Sequence, residues 1–169
     1  MDRRRFLQGL SLSAVTVDAL AQPLRKPLKV GVISSAGTNA DVAGPEPHSV
    51  SVRSLVRGFG ELGYRYGTDY TLESRGGHGR PDRYGALAGE LVAAHVDVIV
   101  AAGPTVNAVR RVTATIPIVM VGGAADPVRD KLVASLAKPG GNVTGLTLQQ
   151  ADLAGKRVEL LKQVVPGPA

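Results

Sequence analysis

Few side chains in this chain have the type and spacing that chemistry demands. The segment "PIVMVGGAADPVRD" sets one carboxylate, Asp126, between an apolar run and Pro127. Such a group acts as a base, receives an ammonium or hydroxyl of a ligand, or caps a helix that continues with proline at its first position. Ser34 and Ser35 offer adjacent hydroxyls, but no Gly-x-Ser-x-Gly elbow surrounds them and no histidine is placed to activate them. His48, His78 and His95 are isolated from one another, and none stands at metal-ligand spacing to a second histidine or carboxylate. Cysteine is absent, which removes thiolate ligands, disulfides and a thiol nucleophile. There is no Gly-x-x-x-x-Gly-Lys phosphate loop, and "GGHGR" (Gly76 to Arg80) reads as a surface turn. Catalysis therefore lacks partners, no cofactor or metal is expected, and an enzyme built on Asp126 is the weakest reading.

Binding requires less. Gly103, at the end of an apolar run, lets backbone approach a ligand, and Thr105 opens a helix whose first N–H groups favour a carboxylate or other anion. With Ser34, Ser35 and Asp126, these residues make a polar shell suited to a small polar or zwitterionic solute. At Asp126 the capping role remains open beside the ligand role.

Positioning these residues falls to short β-branched runs alternating with helical patterns. Strands are expected at Lys29–Ser34, Tyr70–Ser74, Val96–Gly103, Ile116–Gly122 and Asn142–Thr147. Between them, helical spacing marks residues 49–63, residues 81–95 with Asp82 as cap, Thr105 to Thr113, and a short helix in "DKLVASLA". "DLAGKRVELLKQVV" closes the chain as another helix. Single helices between strands imply right-handed crossovers, hence an α/β doubly wound, mainly parallel sheet of about five strands covered on both faces. Ligands of such sheets bind beyond the carboxyl ends of the strands, which is where the candidate residues fall.

The 169 residues suit one domain, and 44% hydrophobic residues with 21 glycines describe a turn-rich globular chain. The formal charge of +6 does not point to nucleic acid, because the basic residues are scattered among acids and aromatics are only 4%. The one basic cluster, Arg3 to Arg5, begins the three-part layout of a secretory signal over residues 1–21, with small residues at Ala19 and Ala21. Its Arg3-Arg4-x-Phe6-Leu7 pattern resembles a twin-arginine export signal. The apolar stretch is too short to span a bilayer, so no stable membrane insertion is expected after cleavage. A periplasmic location follows, with residues 22–28 as linker.

Several stretches together resemble one family: "GFGELGYRYGTDYTLESR", "LAGELVAAHVDVIVAAG", "TIPIVMVGGAADPV", "LVASLAKPGGNVTGLT" and "KRVELLKQVVP". They are similar to the N-terminal half of periplasmic substrate-binding components of ABC transporters, the family that includes tryptophan- and tyrosine-binding members. The resemblance implies one lobe of a periplasmic-binding-protein type I-like fold over residues 29–150. It implies a cleft lined by Ser34, Ser35, Gly103, Thr105 and Asp126, an amino-acid-like ligand, no catalysis, and an ABC permease as partner of the full-length relative. Residues 151–169 become a hinge-proximal helix leading toward a second lobe, and the stop at "VVPGPA" gives the expectation of a chain truncated to one lobe. Such a chain exposes an apolar strip on its last helix at Leu153, Leu160, Leu161 and Val164. Where relatives follow Asp-Pro-Val with small residues, this chain has Arg129, Asp130 and Lys131. The alternative from another class is a periplasmic ligand-sensing domain of a signalling system.

Overall fold

A computed structural model describes residues 26–122, 126–147 and 150–165, and the side chains of 150–154 are outside it. The expected export signal, residues 1–21, lies outside the described residues, as does the side chain of Leu153 of the apolar strip.

Five strands form one all-parallel sheet: β1 (Leu28–Ser34), β2 (Tyr70–Gly76), β3 (Val98–Ala102), β4 (Ile118–Val121) and β5 (Val143–Leu146). Their spatial order is β2-β1-β3-β4-β5, so the chain leaves β1 in one direction, returns across it, and then builds outward in the other. That order places a topological switch point between β1 and β3. The helices are α1 (Asn39–Val42), α2 (Val50–Glu61), α3 (Tyr84–Ala93), α4 (Thr105–Val112) and α5 (Gln150–Val164).

Alternation along the strands creates two cores. Ile33, Ile99, Ala101, Ile118, Met120 and Val143 face one side, where Leu87, Ala88 and Leu91 of α3 and Val106 and Val109 of α4 cover them. The spacing of those α3 residues is the i, i+1, i+4 stripe of a helix lying on a sheet. Gly31 keeps this layer close, because a Cβ there would come 3.1 Å from Val96 Cγ2. The opposite side holds Val30, Val32 and Tyr70 under Val52, Leu55 and Phe59 of α2, with Val42 of α1. Phe59 and Tyr70 stack at 4.5 Å between ring centres. Among the described residues, the cover on this second side ends at β3, and Val121 and Leu146 are exposed.

Several boundaries differ from the sequence reading. The expected helix over "DKLVASLA" is absent, and residues 127–134 form turns and bends. Lys131 adopts a left-handed φ of 54°, which a continuing right-handed helix excludes. The N–H groups of Leu132 and Val133 instead both reach the Pro127 carbonyl, at 2.8 and 3.2 Å, and carry the two side chains into the core. Asp82 does not cap α3: the helix is entered through a 3₁₀ turn, Pro81–Arg83, and the Asp82 carboxylate pairs with Arg80 at 2.9 Å. A short helix that periodicity could not reveal, α1, is held by a capping box between Thr38 and Asp41. α2 ends at Glu61 with Leu62 as its C-cap, and Gly63 follows with a φ of 86°, the left-handed exit that glycine accepts without strain.

Along α5, residues 155–165 are all exposed, including Leu160 at 54%, Leu161 at 60% and Val164 at 79%. No helix among the described residues is long and apolar enough to cross a membrane.

Candidate functional site

The strand-end cavity is assembled by the switch point. β1 ends in Ser34 and passes to Ser35, β3 ends at Ala102, and α2 brings its N-terminal turn to the same edge. A cavity of about 540 Å³ lies between them. Its polar rim consists of five hydroxyl residues, Ser34, Ser35, Ser49, Ser51 and Ser54, and its apolar wall includes Val52, Leu55, Val100 and Val121. Among the described residues, no charged side chain lines it. Ser49 occupies the N-cap position of α2 without making a side-chain cap bond, so the helix presents free N–H groups beside these hydroxyls.

The β1–α1 loop that carries Ser35 is fixed from below. Gly77 N–H donates to the Ser34 carbonyl at 2.9 Å, Gly79 N–H to the Ser35 carbonyl at 2.8 Å, and His78 N–H to the Gly37 carbonyl at 3.1 Å. The Tyr84 hydroxyl donates to the same Ser35 carbonyl at 3.2 Å. Asn39 Oδ1 accepts from the Gly76 N–H at 2.8 Å. Gly76 and Gly77 are buried, and a Cβ on Gly76 would run into the backbone of Thr38, while one on Gly77 would meet Tyr84 Cε1 at 2.5 Å. Within "GGHGR", Gly76 and Gly77 thus form a packed strut beneath the site, while His78, Gly79 and Arg80 make the exposed turn that the sequence suggests. Two neighbouring glycines after a strand were the visible signal of that close approach.

Each residue singled out in the sequence has a definite place. Ser34 and Ser35 line the cavity. Gly103 has a φ of 60° and donates its N–H to the Gly122 carbonyl at 3.1 Å, and a Cβ there would come 3.9 Å from Ser35 Oγ. Thr105 is 0% exposed, and its hydroxyl donates to the Ala102 carbonyl at 2.8 Å, with the Ile33 carbonyl at 3.4 Å. Its side chain holds the α4 entrance against β3 and β1 and is not open to the cavity. Asp126 Oδ1 accepts the N–H groups of Val128 and Arg129, each at 3.0 Å, so the carboxylate caps the turn that replaces the expected helix. Asp126 does not line the cavity. The rim serines of α2, Ser49, Ser51 and Ser54, were not singled out, because isolated serines in a helical pattern carry no signal until a strand end faces them.

Asp41, beside this loop, accepts the Thr38 N–H at 2.7 Å and the Thr38 hydroxyl at 2.8 Å. These bonds, the backbone one foremost, hold its carboxyl below the ordinary aspartate range, with a smaller contribution from His48, 3.6 Å away. Among the described residues, no three of His, Asp and Glu meet at a cation site.

An all-parallel sheet in this order, with an uncharged, hydroxyl-rimmed cavity at its switch point, defines a doubly wound ligand-binding lobe. Comparison with known proteins agrees. Residues 46–168 match the family model of the ABC transporter substrate binding protein. A tyrosine-binding protein of Clostridioides difficile is 30% identical over 115 residues, 68% of this chain and 32% of that protein. A conserved domain protein from Vibrio cholerae has a solved structure that is 32% identical with a TM-score of 0.67, over 84% of this chain and 45% of that one. An ABC domain in complex with L-Trp from Streptococcus pneumonia is 25% identical, with a TM-score of 0.59, over 72% of this chain and 39% of that one. The chain belongs to the ABC transporter substrate-binding protein family. It spans less than half the length of these relatives.

Proposed function

We propose that this chain supplies one wall of the solute cleft of an exported substrate-binding protein serving an ABC importer, and that it binds without catalysis. The solute is amino-acid-like, as suggested by relatives described as tyrosine-binding and as complexed with L-Trp. The observation that carries this reading is the cavity at the carboxyl ends of β1 and β3, where hydroxyls and the α2 N-terminus adjoin an apolar wall. Hydroxyls and helix N–H groups suit a carboxylate, and the valines and Leu55 suit a hydrocarbon or aromatic side chain. Ser34 and Ser35 are assigned to direct contact, and Gly103 to close backbone approach. Thr105 is assigned to holding the α4 entrance in place, and Asp126 to the cleft margin as the cap of its turn. Residues 29–150 form the lobe in this proposal, and 151–169 the helix adjoining the cleft's other side. The family's usual location supports a periplasmic setting, and an ABC permease is the proposed partner.

Calorimetry with L-tyrosine and L-tryptophan on the 169-residue chain, with amide shifts recorded in parallel, tests the proposal. One wall buries little of a ligand, so the expected Kd is above roughly 0.1 mM, with shifts centred on Ser34, Ser35 and Ser51. Ser35→Val weakens it further. Shifts confined to other regions, or none at solubility-limited ligand, reject the cleft assignment.

A further inference from the structure

A second surface cavity, of about 670 Å³, opens at the other end of the sheet. Asn142 and Val143 at the start of β5 line it, together with Thr113 just past the C-terminus of α4. Leu132 and Val133 provide apolar wall, and two cations, Arg110 of α4 and Lys131 of the β4–β5 connection, also line it. Among the described residues, no carboxylate lines it. Asp130 is adjacent to Lys131 in sequence but is not part of the lining, and Asp126 Oδ1 is engaged by two backbone N–H groups. Among the described residues, neither Arg110 nor Lys131 has an ion-pair partner.

The walls are built from fixed parts. Asn142 Nδ2 donates to the Ile116 carbonyl at 2.9 Å and to the Thr113 carbonyl at 3.4 Å, tying the α4–β4 connection to the entrance of β5. Gly140, with a φ of 74°, forms part of the facing rim. Lys131 sits at a φ of 54°, where glycine is unstrained and a lysine is not. Lys131 therefore lines the cavity in a backbone conformation that is costly for a residue other than glycine. Two unpaired cations from separate elements, above an apolar floor and without a competing acid, match a ligand with one negative head and one hydrocarbon body.

We propose that this cavity is a second binding site, separate from the strand-end cleft, for a small organic anion. Its carboxylate or phosphate monoester group lies against Arg110 and Lys131, and its apolar body against Leu132 and Val133.

Phenyl phosphate is the probe, with phenol and inorganic phosphate as its two halves, read by amide shifts of the full chain. The expected result is saturable binding of phenyl phosphate, with shifts over residues 110–114 and 128–143 and weaker binding of either half. Lys131→Gly and Arg110→Gln should each weaken phenyl phosphate about tenfold. Lys131→Gly also relieves the left-handed lysine, so its melting temperature should not fall, which separates loss of charge from loss of fold. Phenol binding as tightly as phenyl phosphate, both variants binding unchanged, or shifts confined to Ser34, Ser35 and Ser51 would each overturn the proposal.

Discussion

The Tyr84 hydroxyl donates to the Ser35 carbonyl at 3.2 Å, joining the first turn of α3 to the loop that leaves β1. The same carbonyl accepts the Gly79 N–H at 2.8 Å, so two elements converge on one backbone oxygen at the cavity rim. Tyr84→Phe keeps the buried ring and deletes one of these bonds. Denaturant unfolding should show a loss of about 0.5–1.5 kcal/mol at unchanged m-value. Exchange of the Gly79 amide should quicken locally, since its bond is then the one left on the Ser35 carbonyl.

Gly76 and Gly58 make an opposed pair. A Cβ at Gly76 has no room against Thr38 backbone, whereas at Gly58, inside α2, nothing lies within 4 Å. Gly76→Ala should destabilise the chain by about 1–3 kcal/mol or more, because backbone and not a flexible side chain must yield. Gly58→Ala should stabilise it by about 0.5–1 kcal/mol through helix propensity. Equal effects in thermal unfolding would reject the strut described for residues 76–77.

For Asp126, the cap predicts asymmetry between two substitutions. Asp126→Asn retains an oxygen for the Val128 and Arg129 N–H groups, and Asp126→Ala retains none. Unfolding free energy should fall by about 0.5–2 kcal/mol for the alanine variant and by clearly less for asparagine. If Asp126 instead acts chiefly by charge on an ammonium ligand, asparagine and alanine should impair solute binding alike in a longer relative while stability stays level.

Acid should act through Asp41, Asp69 and Asp82. Each carboxyl is held below its usual value of 3.8: Asp41 by the Thr38 N–H first, Asp69 by the Arg65 N–H first, and Asp82 by the Arg80 side chain first. A depressed folded-state pKa contributes stability that is present above the unfolded value and disappears as pH falls through the folded value. Unfolding midpoints should therefore be insensitive to these groups near pH 7 and decline below about pH 4. Asp41→Asn should flatten that decline, and a parallel curve for the variant would argue against the Thr38 box.

The five strands and their parallel sense were legible because buried parallel strands read as short apolar runs separated by helical stripes. Ser34 and Ser35 were legible for the same reason, since strand ends locate the rim. Thr105 was not, because its type announces a cap or a ligand contact equally well, and only the neighbouring carbonyls of Ala102 and Ile33 decide its hydroxyl's direction. Residues 130–137 misled because their apolar spacing has a second cause: Leu132 and Val133 are adjacent residues of a loop folded onto the core, not a helix face. Lys131 gave no warning, as lysine rarely occupies the left-handed region.

The position of β1 at the centre of the order β2-β1-β3 also governs how the chain acquires its form. Neither neighbour of the first strand is local: Leu28 pairs with Tyr70, and the bond from the Lys29 N–H to the Asp97 carboxylate spans 68 residues at 2.7 Å. The earliest strand must wait, unpaired, until both distant segments are delivered to it. Such long loop closures precede any reward from pairing, which makes for slow folding. A fold of this order is thus completed around its first strand rather than extended from it.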